Sequence, residues 1–126
     1  MKVWILSLLG LALCLAAGGL VQRQIHNATV RFEVPLQRAE TAVAGRDWPA
    51  ANHQLRRLEK EWSKTKSLWA MLLNHEEIDA IEQALERSKK ALLSRSVSDA
   101  AIEIGALRYF LKHIYERERL NLVNIF

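Results

Sequence analysis

The densest run of side chains able to do chemistry is His75-Glu76-Glu77-Ile78-Asp79. Histidine followed by glutamate opens the zinc-protease pattern, in which two histidines four residues apart on one helical face hold the metal and the glutamate acts as general base. Asp79 stands where the second histidine belongs, so the pattern fails at a metal ligand. Diiron bundles use Glu-x-x-His on inward faces, and none of His26, His53, His75 and His113 has a glutamate three positions before it. No Gly-x-Ser-x-Gly elbow and no phosphate-cradling glycine loop occurs. Of the five glycines, Gly10, Gly18 and Gly19 lie in an apolar run, which leaves little room for an active-site loop. The sequence predicts no catalytic residue, no cofactor and no metal ligand set, and the protein is expected not to be an enzyme.

A weaker grouping survives on geometry. If the last two helices are antiparallel and meet near Ser96, then His75, Glu76, Asp79, His113 and Glu116 gather at one pole beside Trp69. One reading is a metal- or ligand-binding sensor site on the His75/His113 pole. The other is a capping network, because carboxylates near a helix N-terminus and a histidine near a C-terminus both complement the helix dipole.

The elements that must position these residues read as helices throughout, with no convincing strand pattern before the last seven residues. The most regular spacing is Trp48, Ala51, Leu55, Leu58, Trp62, Thr65, Trp69, Leu72, in alternating steps of three and four that draw one seam along a helix. Asp47 is a natural N-cap with Trp48 and Pro49 in the first turn, and Gly45 before it suits a left-handed helix end. Asn74 and Glu77 form a capping-box-like pair for the next helix. Ile78, Ile81, Leu85 and Leu92 continue its stripe, and Glu86 with Lys90 makes an i,i+4 pair on its polar side. Its predecessor is joined by so short a connection that the two lie antiparallel. Ser98 is expected to cap the last helix, with Val97 stapled onto Ile102. Ile102, Leu107, Tyr109, Phe110 and Ile114 are its expected core positions, and it is expected to end around Arg117. The apolar tail, with Leu122, Ile125 and Phe126, should lie buried along the bundle. The least regular segment runs from about Gln24 to Ala44, where Pro35 predicts a kink or a restart.

The tryptophans Trp48, Trp62 and Trp69 carry two readings: core residues closing a bundle, or a groove for a partner helix. The heptad-like spacing also suits self-association as a coiled coil, hence a homo-oligomer.

The start of the chain differs in kind. Val3–Val21 is uncharged and largely apolar, and at 1.5 Å per residue it covers roughly 28 Å, close to the ~30 Å hydrocarbon thickness of a bilayer. Residues 1–22 are therefore expected to be a transmembrane anchor, and 23–126 a helical bundle domain. Ala16-Ala17-Gly18-Gly19 also offers small residues for signal cleavage, but Leu20 and Val21 continue the apolar stretch and favour the uncleaved anchor. A lipid anchor on Cys14 would place bulky Leu13 where a small residue is required. Lys2 favours a cytoplasmic N-terminus, while Arg23 and Arg31 weaken the asymmetry. The expected location is the cell membrane, single-pass, with the soluble domain outside the cytoplasm. Cys14, the one cysteine, leaves that domain without disulfides.

The net charge of +4 does not indicate nucleic acid, because the lysines and arginines are interleaved with Glu59, Glu61, Glu82, Glu86, Glu116 and Glu118 and form no stripe. The expected partners are the membrane itself and another membrane or envelope protein.

Gly45-Arg46-Asp47-Trp48, Leu58-Glu59-Lys60-Glu61-Trp62, Asn74-His75-Glu76-Glu77-Ile78-Asp79, His113-Ile114 and the final Asn124-Ile125-Phe126 together resemble domain of unknown function 4363. That family consists of short bacterial proteins, mostly of spore-forming Gram-positive lineages, with one N-terminal membrane segment. The resemblance covers nearly the whole chain, with 22–44 matching only in general character. It implies an anchored extracytoplasmic helical domain and brings no activity or ligand. The expected fold is all-α: a membrane helix followed by an up-and-down bundle of three to four helices with a packed C-terminal tail.

Overall fold

A computed structural model describes the backbone of residues 1–125, and their side chains apart from those at positions 25, 28, 29, 72, 115 and 118–125. The chain is all-α, as its patterning predicts: α1 (Lys2–Ala44), α2 (Trp48–Leu72), α3 (His75–Ser94) and α4 (Val97–Ile125). α1 packs on α2, α2 on α3, α3 on α4 and α4 back on α1, and among the described residues no close backbone approach links either diagonal pair. Tight turns make each neighbour antiparallel. The result is an up-and-down four-helix bundle in which the outer half of α1 is the fourth member.

The first correction concerns α1. No restart occurs at Pro35; one helix of 43 residues, roughly 64 Å long, runs from the apolar segment into the bundle. An interior proline removes one backbone hydrogen bond and costs about 3 kcal/mol. Pro35 lies on the buried side among Phe32, Leu36, Ala39 and Val43, each at most 1% exposed. Burying those side chains, at about 1.5–3 kcal/mol for each large one, outweighs the lost bond.

The turn after α1 is a Schellman closure. The amide of Asp47 donates to the carbonyl of Ala42 (2.8 Å) and that of Arg46 to Val43 (3.0 Å). The left-handed residue is Arg46, at φ 55°, and not Gly45, which sits at φ −84°. Asp47 caps α2 as predicted, its carboxylate accepting the Ala50 amide at 3.2 Å, and Pro49 falls in the first turn, where no amide is needed.

Asn74 caps α3 by accepting the Glu77 amide at 3.0 Å. The reciprocal half of a capping box is not made, because Glu77 pairs with Arg117 of α4 instead. The cap of α4 is Ser96, whose hydroxyl accepts the Asp99 amide at 3.3 Å; Ser98 already lies inside the helix.

The register of α4 also departs from expectation. Its buried stripe is Ala100, Ile104, Leu107, Leu111 and Ile114, whereas Ile102 (66% exposed) and Tyr109 (62%) face outward and Phe110 is half-buried. Steps of four, three, four and three hold one face inward, and Ile102 and Tyr109 are off that face. Val97 packs on the core, while Ile102, its expected staple partner, is largely exposed. The helix continues past Arg117 to Ile125. The expected burial of Leu122, Ile125 and Phe126 lies outside the described residues.

The seam of α2 is buried as predicted from Ala51 through Leu55, Leu58, Trp62 and Thr65 to Trp69, with Trp48 half-buried against the same core. Trp69 stands edge-on to both Phe32 and Trp62, with ring centroids 5.8 Å apart in each case. Such T-shaped contacts add about 0.5–1.5 kcal/mol beyond area burial. Two hydroxyls in the core are satisfied locally: Thr65 donates to the Glu61 carbonyl (2.9 Å) and Ser88 to that of Ala84 (2.8 Å).

Candidate functional site

The five residues expected at one pole, His75, Glu76, Asp79, His113 and Glu116, are all exposed. No hydrogen bond or ion pair joins any of them to another among the described residues, and no group of three ligating side chains forms there. His113 stacks flat on Tyr109 of its own helix, at 5.7 Å and 10°. The group that does cross this pole is Glu77. It pairs with Arg117, while its second carboxylate oxygen, Oε2, is buried without a hydrogen-bond partner among the described residues, as is the indole N–H of Trp69. Sequence reasoning had given Glu77 a local capping role because the spacing to Asn74 is a local signal, and the helix that supplies Arg117 is distant in sequence.

The polar contacts between helices are ion pairs on the rim of the bundle. Arg108 of α4 reaches both Glu33 and Glu40 of α1, the latter at 2.7 Å, and clamps the two helices across two turns. Glu33 beside it holds the Arg108 guanidinium even further into its charged range. Lys89 of α3 bridges Glu59 of α2 (2.9 Å) and Glu86 (3.1 Å), so Glu86 uses Lys89 and not the expected Lys90. These carboxylates, Glu59 first, push the Lys89 ammonium up, with desolvation opposing them. Lys66 pairs with Glu82, which also accepts the Trp62 indole N–H at 3.4 Å. The Lys66 hydrogen bond holds the Glu82 carboxyl below its ordinary 4.5, with desolvation opposing it. Arg87 pairs with Glu103 at 3.2 Å across the α3–α4 contact. Glu59, Lys66, Glu82 and Glu86 border a half-open cavity of about 300 Å³ between α2 and α3, with Trp62 and Leu85.

An open groove of about 660 Å³ lies between α1 and the start of α2, bordered by Arg38, Thr41, Asp47 and Gln54. The N-terminus of α2 at its edge is already capped by Asp47, whose negative charge occupies the place an anion would take. Inside the core, Phe32, Trp62, Leu107 and their neighbours enclose a void of about 10 Å³, apolar and at the lower limit for one water, which therefore stays dry.

The tryptophan seam is interior, so association through it would first require opening the bundle. What the structure leaves outside is different. The window Lys2–Gln24 is long and apolar enough to cross a membrane, by the same test of length and composition that a signal sequence passes, and none of it is fully buried. Along α4, Ile102 and Tyr109 are exposed on a strip shared with His113, and Leu93 at the end of α3 is 79% exposed. Sequence periodicity had assigned Ile102 and Tyr109 to the core, and only the inward choice of Ile104 over its neighbours reveals them as surface.

The class defined here is an up-and-down four-helix bundle whose first helix extends out of the bundle as an apolar rod, with ion pairs along the rim. The chain belongs to the DUF4363 family, a domain of unknown function, whose model matches residues 20–125. No curated protein and no solved structure matches it.

Proposed function

We propose that this protein is a membrane-tethered, non-catalytic helical module that engages another membrane or envelope protein on the outer side of the cell membrane. The observation that carries this reading is the continuity of α1: its apolar half, Lys2–Gln24, has no fully buried residue, and its other half supplies core residues. A helix with an uncovered apolar stretch of this length is costly in water and favourable in hydrocarbon. Exposed Trp4 near its start suits the membrane interface. Because anchor and bundle share one helix with no linker, the module is held in fixed register to the bilayer. The outward Ile102 and Tyr109 supply apolar surface for a partner, of the aromatic and aliphatic kind that interface cores favour.

Two measurements test this. The full chain expressed in its host should remain in the membrane pellet after alkaline carbonate washing, and release into the wash would overturn the anchor. A photocrosslinker placed at Ile102 should repeatedly recover the same partner from native membranes, and recovery of none would overturn the interaction role. The sensor reading on His75 and His113 draws no support from side chains that stand apart and exposed.

A further inference from the structure

Ion pairs fix how far each helix reaches toward the apolar segment of α1. Arg31 of α1 meets Glu61 of α2 at 3.9 Å. Ten residues further along these antiparallel helices, Met71 in the last turn of α2 comes level with Val21, inside the apolar window Lys2–Gln24. Arg108 of α4 sits between Glu33 and Glu40, hence level with Leu36 and Gln37. Nine residues on, Arg117 comes level with about residue 27 of α1, and α4 continues to Ile125, roughly 12 Å further at 1.5 Å per residue. Its last turns therefore also run beside the end of the apolar window. Burial agrees with this overlap: within the exposed apolar run, Gly18, Val21 and Gln22, on one helical face, are half-covered.

Exposed apolar residues are among those delivered to this level. Met71 is 79% exposed and Leu68 is 40% exposed, both in the final turns of α2. The chain of α4 beyond Arg119 reads Leu-Asn-Leu-Val-Asn-Ile. A continuous α1 provides no spacer that would lift the bundle away from the bilayer.

Resting on the anchor reading above, we infer that this end of the bundle, formed by the last turn of α2 and the C-terminal turns of α4, sits in the lipid interface as a second membrane contact beside the anchor. The occupant is the headgroup and upper acyl region of the bilayer. Continuity with the apolar run, and the overlap in level, argue for lipid rather than a protein partner.

The test uses the full chain with Cys14→Ser, reconstituted in phosphatidylcholine vesicles. One environment-sensitive fluorophore is attached through Gly10→Cys, Met71→Cys or Leu93→Cys. Met71 and Leu93 are equally exposed, at 79%, at opposite ends of the bundle, which makes them a matched pair. Headgroup-attached nitroxide lipids should quench the label at 71 severalfold more than that at 93, while chain-attached nitroxides quench the label at 10. Equal quenching at 71 and 93, with position 10 quenched, overturns the lipid contact and leaves the anchor standing. Shielding of position 71 from both lipid and aqueous quenchers means that a second copy covers it, which also overturns the inference. No quenching at position 10 removes the anchor, and the inference falls with it.

Discussion

From Lys2 to Gln24, α1 presents apolar side chains on every face, and none of them is fully buried. From Phe32 to Val43 the same helix buries Phe32, Leu36, Ala39 and Val43 on one face, leaves Val34 on the other, and turns Gln37, Arg38 and Thr41 to solvent. Backbone geometry is shared, so hydrogen bonding within the helix does not distinguish the halves. The distribution of side chains around the axis does. A helix apolar all round requires a surrounding apolar medium, whereas a striped one requires only a partner on one side. The lesson is that one uninterrupted helix can carry two different distributions of side chains around its axis, one apolar all round and one striped.

The comparison can be broken most forcefully in the unburied half. Replacing Leu9 and Leu13 together by arginine places two charges near the middle of the apolar window, at about 2.5–3.5 kcal/mol each. Membrane retention should collapse in fractionation, while the thermal unfolding midpoint of the bundle stays where it was. A bundle that unfolds with the anchor would show that the halves are not energetically separate.

In the packed half the largest loss should come from Trp69→Ala, which removes the ring against Phe32 and Trp62 and costs about 3–5 kcal/mol. Urea unfolding followed by circular dichroism measures it, and membrane retention should not change. The register of α4 sharpens the same contrast between facing in and facing out. Ile104→Ala should destabilise by about 2–5 kcal/mol and Ile102→Ala by no more than ~0.5 kcal/mol; equal effects would overturn the register.

Smaller still is the cap. Asn74→Ala removes the acceptor for the Glu77 amide and should cost about 1 kcal/mol in the same unfolding experiment. The smallest effect belongs to Glu82, whose carboxyl is held below its ordinary 4.5 chiefly by Lys66. A carboxyl depressed in the folded state contributes its stability above the unfolded value and loses it as pH falls through the folded value. Acidifying below about pH 4.5 should therefore weaken the wild type slightly more than Glu82→Gln, by less than ~0.5 kcal/mol because the pair is more than a third exposed and screened. The difference should vanish in high salt.

Much of this architecture was legible in order along the chain. The α2 seam, the Asp47 and Asn74 caps and the apolar window depend on residues within a few turns of one another, so spacing alone reveals them. What escaped was decided by distant segments. Pro35 signals a break locally, yet the core residues flanking it hold α1 together. Ile102 and Ile104 are equally apolar, and only the positions of α1 and α3 select Ile104. Glu77 is a capping residue by spacing and an interhelical ion-pair partner by proximity to Arg117. Glu77 and Arg117 meet between α3 and α4, but the rotation of each helix about its axis sets His75 and His113 outward.

The sequence by itself determined that this protein is helical, where α2 and α3 begin, and that its first stretch is foreign to water, because helix periodicity, capping and apolar content are properties of contiguous residues. Only the tertiary structure decided that α1 is unbroken, which face of α4 is inward, and how the ion pairs of Arg31 with Glu61 and of Arg108 with Glu33 and Glu40 set the level of the bundle against the apolar segment. Those outcomes depend on which distant side chains compete for the same buried volume and the same charge, and no local pattern encodes that competition.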